Sequence, residues 1–208
     1  MFGVILICPQ LIAAQESYDD QAVLDGACPR TFIGRDEDEV LSLRFVPFEK
    51  PEVQINIRFR EKQAPTINVC QAVDRSILLQ FEDLWVADPK SSFADKIAQL
   101  NVGRYPVVAP KKFGDKILSE LSTVLRETQF WADQMRKARR PKTPFVLLDP
   151  DGVEFLYDGK FSALYKAFLS GRPEKWNKKN PPFVSWMYSV RERVEKLSSK
   201  KSGARSKH

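Results

Sequence analysis

The residue types that usually carry enzymatic chemistry are scarce in this sequence. The only histidine among its 208 residues is His208, the last one, which excludes Ser-His-Asp arrangements and histidine metal sites inside the fold. Histidine is also the usual general base near neutral pH, so catalysis would need carboxylates, lysine, tyrosine or cysteine. We therefore expect a protein that is not an enzyme and that has no cofactor.

The cysteines are Cys8, Cys28 and Cys70, and no two of them form a Cys-x-x-Cys motif. Residues 1–14 contain an apolar run of signal-peptide length, and its removal would leave an even pair, Cys28 and Cys70. This pattern predicts a disulfide in an exported protein, secreted, periplasmic or in the secretory-pathway lumen. One alternative is a cytoplasmic or nuclear protein with two buried thiols. Another is a thiol-dependent oxidoreductase that uses the same two cysteines.

Charge is divided unevenly along the chain. Residues 1–100 carry 10 Lys/Arg and 16 Asp/Glu, a net charge of −6, and residues 101–208 carry 23 and 11, a net charge of +12. The basic half contains a candidate anion-binding cluster at the end of a predicted long helix, formed by Arg136, Lys137, Arg139, Arg140 and Lys142. These cations also favour a helix C-terminus electrostatically. The functional alternative is an intracellular protein that binds nucleic acid or another polyanion.

Three aspartates, Asp149, Asp151 and Asp158, lie close enough in sequence to suggest a Ca²⁺ site. Their spacing is not that of a complete calcium-binding loop. The sequence Asp149-Pro150-Asp151-Gly152 has the composition of a tight turn. We therefore expect a turn and no metal.

The segment 22–74 is predicted to be rich in β-strands. Apolar residues alternate with polar ones at Leu41, Leu43 and Phe45, and again from Val53 to Phe59, as in half-buried strands. Arg44, Arg58 and Arg60 would then share one face of a sheet. Because no aromatic residues are interleaved with them, we expect this basic face to be solvated.

The segment 75–171 is predicted to be α/β. Its first element is a strand, Ser76–Trp85, and a loop with Asp88 and Pro89 then leads to a helix capped by Ser91 or Ser92. A short strand at 105–108 and a long helix at 113–140 follow. Residues 145–148 and 153–157 are predicted strands, and residues 162–171 a short helix with apolar positions at helical spacing.

The remainder of the chain is basic. Residues 172–197 are predicted to form a C-terminal basic region whose helix runs from Phe183 to Leu197. Residues 198–208 have the composition of a disordered tail. The sequence contains no run long enough for a transmembrane segment.

The order of elements in residues 75–171 resembles the thioredoxin-like fold, with a βαβ unit, a connecting helix and a ββα unit entered through Thr143-Pro144. In that family the proline is cis and faces the active site, so Pro144 is the matching position. Phe81 and Trp85 match the aromatic spacing ahead of the catalytic loop. The family places Cys-x-x-Cys where this chain has Asp88, Pro89, Lys90 and Ser91, so the resemblance implies the scaffold without the redox chemistry.

Together these observations predict an α/β protein with a thioredoxin-like core, an N-terminal β-rich segment and a C-terminal helix. We expect it to be an exported, non-enzymatic binding or scaffold protein with a protein partner. A polyanion held by the basic C-terminal half is the alternative partner.

Overall fold

The computed structural model describes residues 18–29, 39–46, 51–138, 152–159, 162–170 and 182–205. Within them lie five helices and six strands. The helices are α1 (Asp20–Ala27), α2 (Ile77–Ala87), α3 (Phe93–Gln99), α4 (Lys111–Ala138) and α5 (Pro182–Arg205). The strands are β1 (Glu39–Val46), β2 (Val53–Phe59), β3 (Thr66–Ala72), β4 (Val102–Val108), β5 (Gly152–Gly159) and β6 (Ser162–Ser170).

The six described strands form one sheet in the order β4-β3-β2-β1-β5-β6. Each pair of neighbours in this sheet is antiparallel. The presence of five described helices beside this sheet confirms the mixed α/β class predicted from the sequence. The predicted boundary between the segments 22–74 and 75–171 lies between β3 and β4 in sequence. These two strands are neighbours in the sheet.

One face of the sheet is apolar and is covered by α4 and α5. The alternation in β1 places Leu41, Leu43 and Phe45 on this face, in register with Ile57, Ile55 and Val53 of β2. The fully buried members of this core are Leu41, Leu43, Ile57, Ile117, Leu121, Val153, Phe155, Tyr157, Met187 and Val190. Burying a side chain of this size stabilises the fold by about 1.5–3 kcal/mol relative to exposing it.

The opposite face of the sheet is only partly apolar. A second, smaller core joins α1, α2 and α3 to β3, and its members are Val23, Leu24, Ala27, Cys28, Cys70, Ala72, Ile77, Phe81 and Leu100. The ring of Phe81 lies at its centre, with centroids 4.9 Å from Tyr18 and 5.2 Å from Phe93. The rest of this face carries polar side chains.

The predicted strand Ser76–Trp85 is wrong, because residues 77–87 form helix α2. The apolar run at its start also fits a buried helix. Its first turn is completed by the buried Glu52, whose carboxylate accepts from the Ser76 hydroxyl at 2.6 Å and from the backbone N–H groups of Ile77 and Leu78. A carboxylate at a helix N-terminus satisfies donors that have no partner within the helix. Glu52 lies 24 residues before Ser76 in the sequence.

The helix predicted at 162–171 is also wrong, because residues 162–170 form strand β6. Tyr165, Ala167 and Leu169 alternate along the chain and are in register with Tyr157, Phe155 and Val153 of β5. Pairing with β5 thus overrides the helical spacing. The predicted strand at 153–157 lies within β5 and is confirmed, as are the strand at 105–108 and the helix that Ser92 caps. The thioredoxin-like arrangement as a whole stays a prediction.

The final helix is longer than predicted. Helix α5 continues to Arg205, through most of the tail expected to be disordered. Several predictions lie outside the described residues: the signal-like run 1–14, the strand 145–148, Pro144, and the turn residues Asp149 and Asp151.

Candidate binding groove

The second face of the sheet contains a layer of buried polar side chains. Ser42, Arg44, Gln54, Asn56 and Glu154 come from the three central strands, and each is less than 9% exposed. The register brings Arg44 opposite both Gln54 and Glu154. Buried polar groups are costly unless they are paired, so the contacts of this layer decide whether the fold tolerates it.

Arg44 is the centre of this layer. Its Nε and Nη2 donate to the Gln54 Oε1 at 2.8 and 2.5 Å, and Nη2 also donates to Asp25 Oδ1 at 2.6 Å. The Glu154 carboxylate lies 3.7 Å from Nη1. Two carboxylates therefore flank the guanidinium, which explains how a cation that is 3% exposed is held there. The solvated face predicted for Arg44 is wrong, whereas Arg60 is exposed and Arg58 half-buried.

Polar side chains on the same face of the sheet hold the end of α1. Arg104 Nη2 donates to the Ala27 carbonyl at 2.6 Å, and Arg44 Nη2 reaches the Cys28 carbonyl at 3.3 Å. Gln54 and Asn56 both donate to the Pro29 carbonyl, at 3.2 and 3.3 Å. The last carbonyls of a helix have no partner within it, and cations are favoured beside them. The sheet supplies hydrogen-bond donors for these carbonyls and places the cations Arg44 and Arg104 beside them.

A disulfide between Cys28 and Cys70 joins α1 to β3, which confirms the predicted pairing. Both residues are buried, at 3% and 6% exposure. The cross-link and the carbonyl contacts therefore fix the same point of the chain against the sheet.

Beyond the end of α1, two adjoining cavities open on this face, and both are lined by Asn56 and Asn68. The first has a volume of about 140 Å³ and is also lined by Arg58, Arg60 and Thr66. The second has a volume of about 260 Å³ and is also lined by Pro29, Cys70, Arg104, Tyr105 and Pro106. We call the two cavities together the groove.

The groove is rich in hydrogen-bond donors. Arg58 and Arg60 line one end and Arg104 the other, and no carboxylate is among the described residues that line it. The Tyr105 hydroxyl is not one of these donors, because Tyr105 is in register with Val69 on the face that α4 and α5 cover, and its hydroxyl donates to Gln71 Oε1 at 3.3 Å. On that face, burial and the Glu195 carboxylate of α5 raise the pKa of Tyr105, partly offset by Arg191. The described side chains that line the groove carry a net positive charge.

The loop predicted to match the thioredoxin-like catalytic position makes structural contacts. Trp85 packs in the second core, and the Nζ of the buried Lys96 lies 5.2 Å from the centre of its indole ring. Asp88 ends α2, and its carboxylate accepts from the backbone N–H groups of Lys90 and Ser91 at 3.3 and 3.2 Å. The Ser91 carbonyl accepts from Lys96. Pro89, between Asp88 and Lys90, is exposed.

The predicted anion-binding cluster is described only in part. Arg136 and Lys137 belong to the last turn of α4, whereas Arg139, Arg140 and Lys142 lie outside the described residues. Among the residues that the structure describes, no group of three histidine, cysteine or acidic residues is placed to hold a metal ion. In the same part of the chain, no helix has the length and apolar composition needed to cross a membrane.

Sequence patterns identified only part of the groove. Arg58 and Arg60 were recognisable as one strand face, but Asn56, Asn68 and Arg104 were not singled out. A signal for the two asparagines was present, since both stand at polar positions of alternating strands, and pairing brings them into register. Arg104 becomes part of the site only because β4 pairs with β3.

No protein-family model, no curated protein and no solved structure matches this chain.

Proposed function

We propose that this chain is an exported, non-enzymatic protein that binds a protein partner in the groove. The observation that carries the proposal is the pair of adjoining cavities on the open sheet face, with Asn56 and Asn68 shared between them. The cavities lie on strands and beside a cross-linked helix end, so their shape is set before a ligand binds. Preorganised sites lose less entropy on binding.

The chemistry of the groove favours binding over catalysis. Its described lining offers amide, hydroxyl and guanidinium groups, and its one sulfur, from Cys70, is part of the disulfide. A general base needs a carboxylate, an imidazole or a similar group within hydrogen-bond reach of the substrate. The same disulfide argues against the alternative of a thiol oxidoreductase, because catalytic cysteines are usually accessible and both of these are buried.

Export is supported by the disulfide together with the apolar run at residues 2–14. Disulfides persist in oxidising compartments and are rare in the cytosol. The thioredoxin-like scaffold stays a prediction, and the proposed binding role does not depend on it.

The competing function is that of an intracellular protein that binds a polyanion, and it is favoured by the formal net charge of +6. Grooves for single-stranded nucleic acid combine cations with several aromatic rings for stacking. Tyr105 is the one aromatic residue among the described residues of the groove. This composition suits a polypeptide better than a nucleic acid.

The proposal is tested by filling the groove. Asn68 is exposed on β3, so Asn68→Trp should narrow both cavities without disturbing the core. We expect this variant to lose the partner recovered by cross-linking from the exported fraction of the native host, at an unchanged melting temperature. The matched control is Ser122→Trp, at an exposed position of α4, which should retain the partner. Equal recovery with both variants would overturn the proposal.

A further inference from the structure

We infer that the groove binds an extended peptide segment with two acidic side chains four residues apart. This inference rests on the proposed function, because it names the ligand class of the same site. It follows from the positions of the arginines at the two ends of the groove and from the groups that lie between them.

The two arginines stand at opposite ends of the groove. Arg58 is in register with Thr66, and Thr66 is in register with Val108 of β4. Arg104 is on the same strand as Val108, four residues earlier, so its Cα is two strand spacings and four residue rises from that of Arg58, about 17 Å. The Arg104 guanidinium is held at its own end of the groove, because its Nη2 donates to the carbonyl of Ala27, next to the disulfide that ends on Cys70 opposite Arg104. A ligand with an anionic group at each end therefore contacts both arginines without requiring Arg58 to extend along the strand.

An extended peptide matches this distance. Its residues rise by about 3.4 Å each, and side chains four residues apart point to the same side and start about 14 Å apart. The flexible arginine and glutamate side chains bridge the remaining difference. The ligand is therefore a segment with Glu or Asp at positions i and i+4, both of which face the sheet.

The centre of the groove suits a peptide backbone. Asn68 is exposed there, and an asparagine side chain both donates and accepts, as a backbone amide does. Asn56 is held in place because its Nδ2 donates to the Pro29 carbonyl and its Oδ1 accepts from Gln54 at 3.2 Å. These two amides provide neutral contacts between the charged ends.

Arg104 is positioned to bind a carboxylate. Its Nη2 is anchored on the Ala27 carbonyl, which orients the guanidinium while its other N–H groups remain to contact a ligand. At the other end, Arg58 and Arg60 also interact with other parts of the protein, so a ligand shares these cations. The buried Arg44 is flanked by Asp25 and Glu154 and adds little to the charge that a ligand meets.

The test uses fluorescence anisotropy with dye-labelled ten-residue peptides and the mature, oxidised protein. The first peptide carries two glutamates at i and i+4 in a Ser/Ala/Asn background. Three matched ligands have the glutamates at i and i+1, have glutamines in their place, or are a ten-nucleotide oligothymidine. We expect the first peptide to bind at least fivefold more tightly than the i, i+1 peptide, which can contact only one end of the groove, and at least tenfold more tightly than the glutamine peptide and the oligothymidine.

Two variants assign the ends of the groove. Arg104→Gln removes the positive charge at one end of the groove and leaves a neutral polar side chain, and Arg58→Gln makes the same change at the other end. Each should weaken the i, i+4 peptide about fivefold to tenfold, the range expected for one charge-assisted contact. Two further peptides keep only the glutamate at i or only the one at i+4. The affinity of each should fall with one of the two variants and change less than twofold with the other. Melting temperatures within the error of the unsubstituted protein check that both variants fold.

The possible outcomes separate the inference from the proposed function. Equal affinity for the glutamate and glutamine peptides, or tighter binding of the oligothymidine, would overturn the acidic-peptide inference. If acidic peptides do not bind while Asn68→Trp still removes the native partner, the inference is wrong and the proposed function remains. If Asn68→Trp leaves recovery of the partner intact, the proposed function is wrong as well.

Discussion

Arg193 of α5 donates to the carboxylate of Glu120 on α4 with both terminal nitrogens, at 3.1 and 2.7 Å. The Trp186 indole N–H donates to the same carboxylate at 3.0 Å. One carboxylate thus joins the two helices that cover the apolar face of the sheet. Burial raises the pKa of Glu120, but the hydrogen bonds from Arg193 and Trp186 and the charges of Arg193 and Lys116 outweigh it, and the net pKa is lowered.

This pair should make stability depend on pH. Because the folded pKa lies below its ordinary value of 4.5, the unfolded chain takes up the proton first as the pH falls. The contribution of Glu120 is therefore complete above about pH 5 and is lost as the pH drops through the lowered value. We expect Glu120→Gln to reduce the free energy of unfolding by about 1 kcal/mol at pH 7, and by much less at pH 3. Urea unfolding at the two pH values measures this, and an equal loss at both would contradict it.

Glu52 should be required for the start of α2. It is 2% exposed, and its two oxygens accept from one hydroxyl and two backbone N–H groups. Glu52→Gln replaces one acceptor oxygen with a donor, so at least one buried donor loses its partner, at a cost of about 1–3 kcal/mol. The control is Glu61→Gln, at a side chain that is 88% exposed. If urea unfolding shows the same stability for both variants, Glu52 does not have the assigned role.

These contacts explain which elements the sequence predicted and which it did not. The alternation of apolar and polar residues in β1, β2 and β5 is a local property, and all three strands were predicted. Helix α2 depends on Glu52, a partner that is distant in sequence, and β6 depends on pairing with β5. Both segments have apolar spacings that fit either a helix or a strand, so only tertiary contacts decide between them.

The candidate site was predictable to a similar extent. Cys28 and Cys70 were paired from their number and the signal-like run alone. The burial of Arg44 was not predicted, because nothing in its own strand indicates that Asp25 and Glu154 flank it. The groove itself arises from three strands brought into register, which composition does not reveal.

The disulfide should contribute substantially to stability. It links residues 42 positions apart, and a loop of that size contributes about 2–4 kcal/mol, largely by restricting the unfolded chain. The double substitution Cys28→Ser with Cys70→Ser should lower the free energy of unfolding by that amount in urea titrations. The unsubstituted protein in excess dithiothreitol is the control and should resemble the variant. Unchanged stability in both samples would show that the link is not formed in solution.

Export makes a separate prediction about the mature chain. N-terminal sequencing of protein purified from its native host should begin near Gln15, after removal of the apolar run. The same material should contain no free thiol, because Cys8 is removed and the other two cysteines are paired. A chain that begins at Met1 would contradict export.

The most direct test of the proposed function is photo-cross-linking from inside the groove. A small aliphatic diazirine amino acid, which is too small to fill the groove, replaces Asn68 in one sample and Ser122 in a second, and both proteins are expressed in the native host and irradiated. We predict one discrete protein adduct from position 68, none from position 122, and loss of the adduct when excess i, i+4 acidic peptide is added before irradiation. No adduct from position 68, or the same adducts from both positions, would contradict binding in the groove.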